Sequence, residues 1–250
     1  MKIFYYTSTG NCLYVAKRMQ EKIENCELIS ITKAIKSENF KINDDIVGFI
    51  YPIHYAGVPI HVYDFISKIK ITKNAYVFAV GVSGGGSADT SFYQLENLMK
   101  REIDNCLTVK YISNYIRVGT NPTKERALKA IGKYEEEIDK FIESIKRKEI
   151  KHMEFKKGIG NLEYNIFKNV LKNKDKNFNV NDSCIGCTMC QKICPVDNIV
   201  FDDNKPKWLG KCVDCMGCIN ICPKEAINIG KRTIRKNRYR NPYIKSQELI

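Results

Sequence analysis

Eight cysteines stand in two matching runs in the last third of the chain, and no other feature restricts its fold so tightly. The first run is Cys184, Cys187, Cys190 and Cys194, closed by Pro195; the second is Cys212, Cys215, Cys218 and Cys222, closed by Pro223. Each reads C-x-x-C-x-x-C-x-x-x-C-P, the spacing that holds a pair of 4Fe–4S clusters. Three thiolates three residues apart wrap one cubane and ligate three of its irons, while the fourth lies beyond a turn and reaches the other cluster. The spacing therefore predicts one cluster on Cys184, Cys187, Cys190 and Cys222, and a second on Cys212, Cys215, Cys218 and Cys194. Pro195 and Pro223 set the turn direction at the loop ends, and Gly186 and Gly217 let the backbone approach the sulfides. A disulfide framework would call for an oxidising compartment. Zinc would call for two C-x-x-C pairs, not four cysteines twice over with a closing proline. Such clusters carry single electrons, so a redox role is expected.

This segment, about residues 180–230, resembles the two-cluster bacterial ferredoxins, with every ligand position filled. A chain of 250 residues has room for about two domains. The cluster segment is short and held by metal, so the remainder needs a core of its own, which a hydrophobic content of 44% can supply. Met1–Tyr6 is too short for a signal-peptide core, and no apolar run approaches the ~18–20 residues of a membrane span. Together with oxygen-sensitive clusters, this predicts a cytoplasmic protein with no membrane association. The heavy use of Lys, Ile and Asn suggests an AT-rich genome, as of an anaerobe.

Strand and helix patterns alternate through the first half. Apolar runs at Ile3–Tyr6, Ile46–Tyr51, Ala75–Val82 and Leu107–Ile112 read as strands. Helical spacing appears at Cys12–Ile23, Val58–Ile69 and Ala88–Ile103, and as one long stretch over Thr123–Ile150. Continuous apolar strands separated by helices imply a parallel sheet covered on both faces. In such sheets ligands bind beyond the carboxyl ends of the strands. Three of those ends carry small, hydroxylated or glycine residues: Thr7–Cys12, Pro52–Pro59 and Gly81–Ser87. Thr7-Ser8-Thr9-Gly10-Asn11, between a strand and a helix start, offers hydroxyls, free N–H groups and a helix dipole to a phosphate. It is neither a Walker loop nor G-x-G-x-x-G.

With that loop, residues 1–150 resemble the flavodoxins, whose first loop is a T/S-x-T-G-N-T phosphate site for FMN. The resemblance implies an α/β fold: a flavodoxin-like doubly wound parallel sheet with strand order 2-1-3-4-5, followed by a small α+β two-cluster ferredoxin domain. It implies that Thr7, Ser8, Thr9, Gly10 and Asn11 hold the FMN phosphate, with Cys12 where the family has a hydroxyl. Pro52, Ile53, His54, Tyr55, Ala56 and Gly57 would flank one side of the isoalloxazine, with Tyr55 stacked on it. Ser83, Gly84, Gly85 and Gly86 would approach the other. Cys26 and Cys106 read as core thiols. Trp208 is expected to pack over a cluster, and His61 and His152 are given no role.

Residues 151–180 read as a helical connector. Leu162, Ile166, Phe167, Val170 and Leu171 are spaced as an apolar stripe expected to pack on the first domain. Lys168, Lys172, Lys174 and Lys176 accompany them, and a basic C-terminal tail, 231–250, carries Lys231, Arg232, Arg235, Lys236, Arg238 and Arg240. The net charge of +13 suits an acidic redox partner such as a ferredoxin or flavodoxin. A solvated tail explains it equally well, whereas no recognition-helix pattern supports nucleic acid. The whole resembles flavodoxin–ferredoxin fusion proteins, which implies an electron-transfer iron–sulfur flavoprotein carrying FMN and two 4Fe–4S clusters. The alternative is an FMN-dependent oxidoreductase that reduces a small molecule, with the clusters as its electron feed and His54 or Tyr55 as proton donor.

Overall fold

The computed structural model describes residues 1–38, 40–119, 121–151, 153–156, 158–170 and 174–250. The first half is built on strands β1 (Lys2–Tyr5), β2 (Glu27–Ser30), β4 (Ile46–Pro52), β6 (Tyr76–Ser83) and β7 (Asn105–Lys110), with a two-residue pair β3 (Lys41–Ile42) and β5 (Lys70–Ile71) beside them. The five longer strands form one parallel sheet in the order β2-β1-β4-β6-β7. With the short pair set aside, this is the expected order 2-1-3-4-5. The strand that the apolar runs did not single out is β2, an edge strand with no fully buried residue. By contrast all eight residues of β6, an interior strand between β4 and β7, are buried, as continuous apolar runs require.

Helices α1 (Asn11–Lys22), α2 (Ile31–Ser37), α3 (Ile60–Ile66), α4 (Asp89–Met99), α5 (Lys124–Gly132) and α6 (Glu135–Lys146) cover the sheet. Two buried clusters lie on its opposite faces. Phe49, Val77 and Ala79 pack with Phe65 and Phe92 on one; Ile50, Phe78 and Val80 pack with Val15, Ile138 and Phe141 on the other. Alternate residues of β4 and β6 thus serve alternate faces. The single helix expected over Thr123–Ile150 is two. Thr123 caps α5 by accepting from the Arg126 N–H, and the break falls at Gly132, Lys133 and Tyr134, where glycine's helix propensity is poorest.

Helix α7 (Ile159–Val170) corrects the connector reading. It is a helix, and Phe167 of the expected stripe faces the first domain, but Leu162, Ile166 and Val170, with Ile159, are exposed, and Tyr164 faces that domain in their place. Tyr164 is buried and donates to the Val58 carbonyl at 2.7 Å. Phe167 stacks on Tyr55 with their planes 15° apart. A polar tip that finds a backbone acceptor makes tyrosine a better inward residue here than the aliphatics beside it. Leu171, Lys172 and His152 lie outside the described residues.

The second half has two antiparallel pairs, β8 (Phe178–Val180) with β11 (Ile227–Ile229) and β9 (Ile199–Asp202) with β10 (Lys205–Trp208). Two short helices, α8 (Met189–Lys192) and α9 (Gly217–Ile221), follow the cysteine loops. Its own small core, with Ile199, Ile219, Ile227 and Ile229, also takes in Ile116 of the first half.

The tail is not free in solvent. Thr233, Tyr239, Asn241 and Ile244 are buried, and the Lys17 ammonium meets Glu248 at 2.6 Å. Arg238 donates to the carbonyls of Ile227, Thr233 and Lys236 at 3.0 Å each, and Lys236 to those of Ile116 and Gly119. These two cations therefore hold the chain together. Of the six cations between Lys231 and Arg240, the other four, Lys231, Arg232, Arg235 and Arg240, are exposed.

Candidate functional site

The two cysteine runs fold as a repeat. Gly186 (φ 65°) and Thr188 (φ 60°) of the first loop are matched by Asp214 (φ 57°) and Met216 (φ 59°) of the second, all left-handed. Gly186 sits where that conformation favours glycine. Gly217 is different: it heads α9, and a Cβ there would meet Ile193 and Ser8 no closer than 3.6 Å. Cys184, Cys187, Cys190 and Cys222 line one cavity, and Cys212, Cys215, Cys218 and Cys194 line another. The two sets are those that the crossed spacing predicts. Backbone N–H groups of Asp214, Asn198 and Ala226 approach the sulfurs of Cys212, Cys194 and Cys222 at 3.3 Å each, the contacts that tune a cluster's potential. Trp208 lines the second cavity and meets Phe178 edge-on at 5.4 Å. Among the described residues no three His, Cys, Asp or Glu side chains gather on one point as for a single ion. Four thiolates serving four irons of a cubane stand apart in the same way.

A larger cavity of about 230 Å³ opens at the carboxyl ends of the sheet strands. Of the expected residues, Thr7, Ser8, Thr9, Asn11, Cys12, Pro52, Ile53, His54, Tyr55, Ser83 and Gly84 line it. Gly10, Ala56, Gly57, Gly85 and Gly86 do not. Gly57 is instead pressed between Tyr164 and Gln94, where a Cβ would come within 2.3 Å of the tyrosine ring. Gly85 and Gly86 face open space. Two walls escaped the sequence reading. One is Ile112–Tyr115, the loop after β7; it too ends a parallel strand and carries Ser113, Asn114 and Tyr115, which is the pattern that marked the other three loops. The other is Asp214, Cys215 and Met216, contributed by the second cysteine loop, which no pattern in the first half could announce.

The loop between β1 and α1 shows how an anion would be held. Gly10 takes φ 97° at the N-cap of α1, and no side chain caps that helix. Its first-turn N–H groups thus find no side-chain cap among the described residues. The Gly10 N–H turns back to the Thr7 Oγ1 at 2.9 Å, and Thr9 Oγ1 accepts from Asn114 Nδ2 at 2.8 Å, keeping its own proton free. Ser8 is buried, and its hydroxyl bonds to no described residue. An uncapped helix start beside two available hydroxyls at the cavity wall fits a phosphate, so the residues present fit FMN.

The wall between cavity and cluster loop is polar and buried. The Asp214 side chain is fully buried, and Arg117 meets its Oδ1 through Nη2 at 2.5 Å and Nε at 2.9 Å. Tyr115 donates to Oδ2 at 2.5 Å, and the Tyr55 hydroxyl lies between that oxygen, at 3.0 Å, and Tyr115. Tyr55 therefore lines the cavity with its hydroxyl committed to Asp214 and Tyr115 and its ring stacked on Phe167. Burial lowers the pKa of His54 to about 4, although Asp214 works against the shift. His61, beneath it, is lowered to about 3 by burial and by His54. Both imidazoles are neutral at pH 7. Neither ring nitrogen of His61 has a described partner, and the ring packs edge-on against Tyr6 at 4.1 Å. Burial pushes the Cys12 thiol up, so it stays protonated. Cys26 and Cys106 are half-buried at the edges of the two cores.

The family model for a flavodoxin domain matches residues 2–114, and that for a 4Fe-4S dicluster domain matches residues 183–227. The chain joins a flavodoxin domain to a 4Fe–4S dicluster domain. No curated protein matches it. Among solved structures, a flavoprotein in complex with FMN from Lactobacillus acidophilus is 12% identical over 43% of this chain and 91% of its own, with a TM-score of 0.33. An FMN-dependent NADH-azoreductase from Bacillus anthracis in complex with FMN is 12% identical over 57% and 100%, with a TM-score of 0.36. Rubredoxin oxygen:oxidoreductase from Desulfovibrio gigas is 17% identical over 59% of this chain and 36% of its own, with a TM-score of 0.34. The first half of the chain thus supplies four walls of the cavity, and the second cysteine loop closes the fifth. No described helix is long and apolar enough to cross a membrane.

Proposed function

We propose that the protein is an electron-transfer iron–sulfur flavoprotein, with FMN in the large cavity and two 4Fe–4S clusters on the crossed cysteine sets. The observation that carries this reading is the shared wall: Asp214, Cys215 and Met216 of a cluster loop line the same cavity as the phosphate loop. FMN exchanges two electrons and releases them singly, whereas each cluster carries one. The protein's own residues position these groups. Ser8, Thr9 and the α1 N-terminus bind the phosphate, and Arg117, Tyr115 and Tyr55 hold the cluster loop against the cavity. Because the Tyr55 hydroxyl is committed and His54 is neutral, neither supports the substrate-reducing alternative. An acidic redox carrier in the cytoplasm would be steered by the exposed Lys231, Arg232, Arg235 and Arg240.

Anaerobically purified protein tests the reading directly. It should hold about eight irons and eight acid-labile sulfides per chain, and release FMN rather than FAD on denaturation. Four irons, or failure of flavin-free protein to bind FMN in either redox state, would overturn it.

A further inference from the structure

The C-terminal segment reaches back across the chain to the phosphate loop. Tyr239 and Asn241 are almost inaccessible, at 2% and 1% exposure. The Tyr239 hydroxyl donates to Asn11 Oδ1 at 2.7 Å, and Asn241 Nδ2 donates to the same oxygen at 3.1 Å. The Asn241 backbone N–H donates to the Thr9 carbonyl at 2.8 Å. The space that a side chain at Gly10 would need is filled by the Cβ atoms of Asn241 and Ile244, at 3.0 and 3.1 Å. The segment is fixed at its other end too: the Tyr239 N–H donates to Asn220 Oδ1 at 3.0 Å. Asn220 lies in α9, between Cys218 and Cys222.

These contacts decide the shape of the loop. Asparagine oxygens compete for nearby backbone N–H groups at helix starts. With Asn11 Oδ1 holding two donors from the tail, it is turned away from the first turn of α1, whose N–H groups stay open to an anion. Tying the Thr9 carbonyl to Asn241 fixes the Thr9–Gly10 peptide plane. It thereby aims the Gly10 N–H at Thr7 rather than into the cavity.

We infer that the segment Tyr239–Ile244 is a working part of the flavin phosphate site, with Tyr239 and Asn241 acting as positioning residues for Asn11 and Thr9. The site is then complete only when the tail of the dicluster domain is docked. This rests on the FMN reading above.

The test uses full-length, cluster-loaded protein stripped of flavin, titrated with FMN and separately with riboflavin by flavin fluorescence quenching. Both donors to Asn11 Oδ1 are lost in the Tyr239→Phe/Asn241→Ala variant, so its FMN affinity should fall roughly 10-fold or more. Tyr239→Phe alone, which keeps the buried ring, should lose roughly 5-fold. Riboflavin, lacking the phosphate, should bind both variants as it binds the unaltered protein, and iron content should be unchanged. Unchanged FMN affinity would overturn the inference, as would equal losses for FMN and riboflavin. Unaltered protein that binds neither flavin would overturn the FMN reading itself, and the inference with it.

Discussion

Replacing Arg117 with Met removes the only cation that meets the buried Asp214 carboxylate among the described residues. The methionine keeps an apolar stem near Phe178, over which the guanidinium now sits at 5.5 Å. Oδ1 loses both of its donors, while Oδ2 keeps the tyrosine hydroxyls. Breaking a buried ion pair from one side costs about 3–5 kcal/mol. The Arg117 side chain retains 16% exposure, so water can reach the gap, and the lower figure of about 3 kcal/mol applies. At 1.36 kcal/mol per tenfold, that corresponds to a roughly 150-fold increase in local opening of the second cysteine loop. Amide hydrogen exchange over residues 208–220, followed by mass spectrometry in cluster-loaded protein, reads this opening without assuming that the two domains unfold together. The Arg117→Met/Asp214→Asn variant, with the charge removed as well, should recover at least about 2 kcal/mol of the loss, the size of coupling expected for a close buried pair. Exchange that accelerates less than about fivefold in Arg117→Met would refute the idea that this pair holds the loop. So would a double variant no slower than the single one.

Stability should also fall in mild acid because of the two buried histidines. Their folded pKa values, about 4 for His54 and about 3 for His61, lie below the unfolded value of about 6.5. The unfolded chain therefore takes up protons that the folded one refuses, and stability present above pH 6.5 is lost as pH falls toward those values. At pH 5 each histidine costs about 2 kcal/mol. His61→Phe should halve the histidine-linked drop in urea midpoint between pH 7 and pH 5, and an undiminished drop would count against it. Cys194→Ala should remove the cluster bound mainly by Cys212, Cys215 and Cys218, leaving about four irons; loss of the Cys184 cluster instead would overturn the crossed ligation. Changing Lys231, Arg232, Arg235 and Arg240 together to Gln should slow reduction by an acidic ferredoxin at low salt and flatten its salt dependence in stopped flow. An unchanged low-salt rate would remove these residues from docking.

What the sequence displays best is whatever depends on local spacing. The spacing of the eight cysteines divides them into the same two sets that line the two small cavities, because a loop formed by three of them is too tight for the fourth. The β1–α1 loop was legible for a similar reason, since hydroxyls and a glycine between an apolar run and a helix start do one thing well. Strands β4 and β6 were visible as unbroken apolar runs, while β2 was not, because an edge strand has one side to bury and little apolar content to show. The break at Gly132 and the outward turn of Ile159, Leu162, Ile166 and Val170 were missed, because periodicity identifies a helical face without saying which neighbour it meets.

The sequence by itself therefore determined the two modules, the two cysteine sets and the hydroxyl-rich β1–α1 loop. Only the tertiary structure decided how they are joined. Asp214 meets Arg117 across 97 residues of chain, and Tyr239 meets Asn11 across 228. At such separations a residue's type announces no partner. An arginine in a basic tail reads as solvated until Arg238 is seen holding carbonyls, and a buried aspartate reads as a loop residue until its cation is found. Contacts of this kind are fixed by where the folded domains bring their surfaces together, where each buried polar group must find a partner or forfeit the water it gave up.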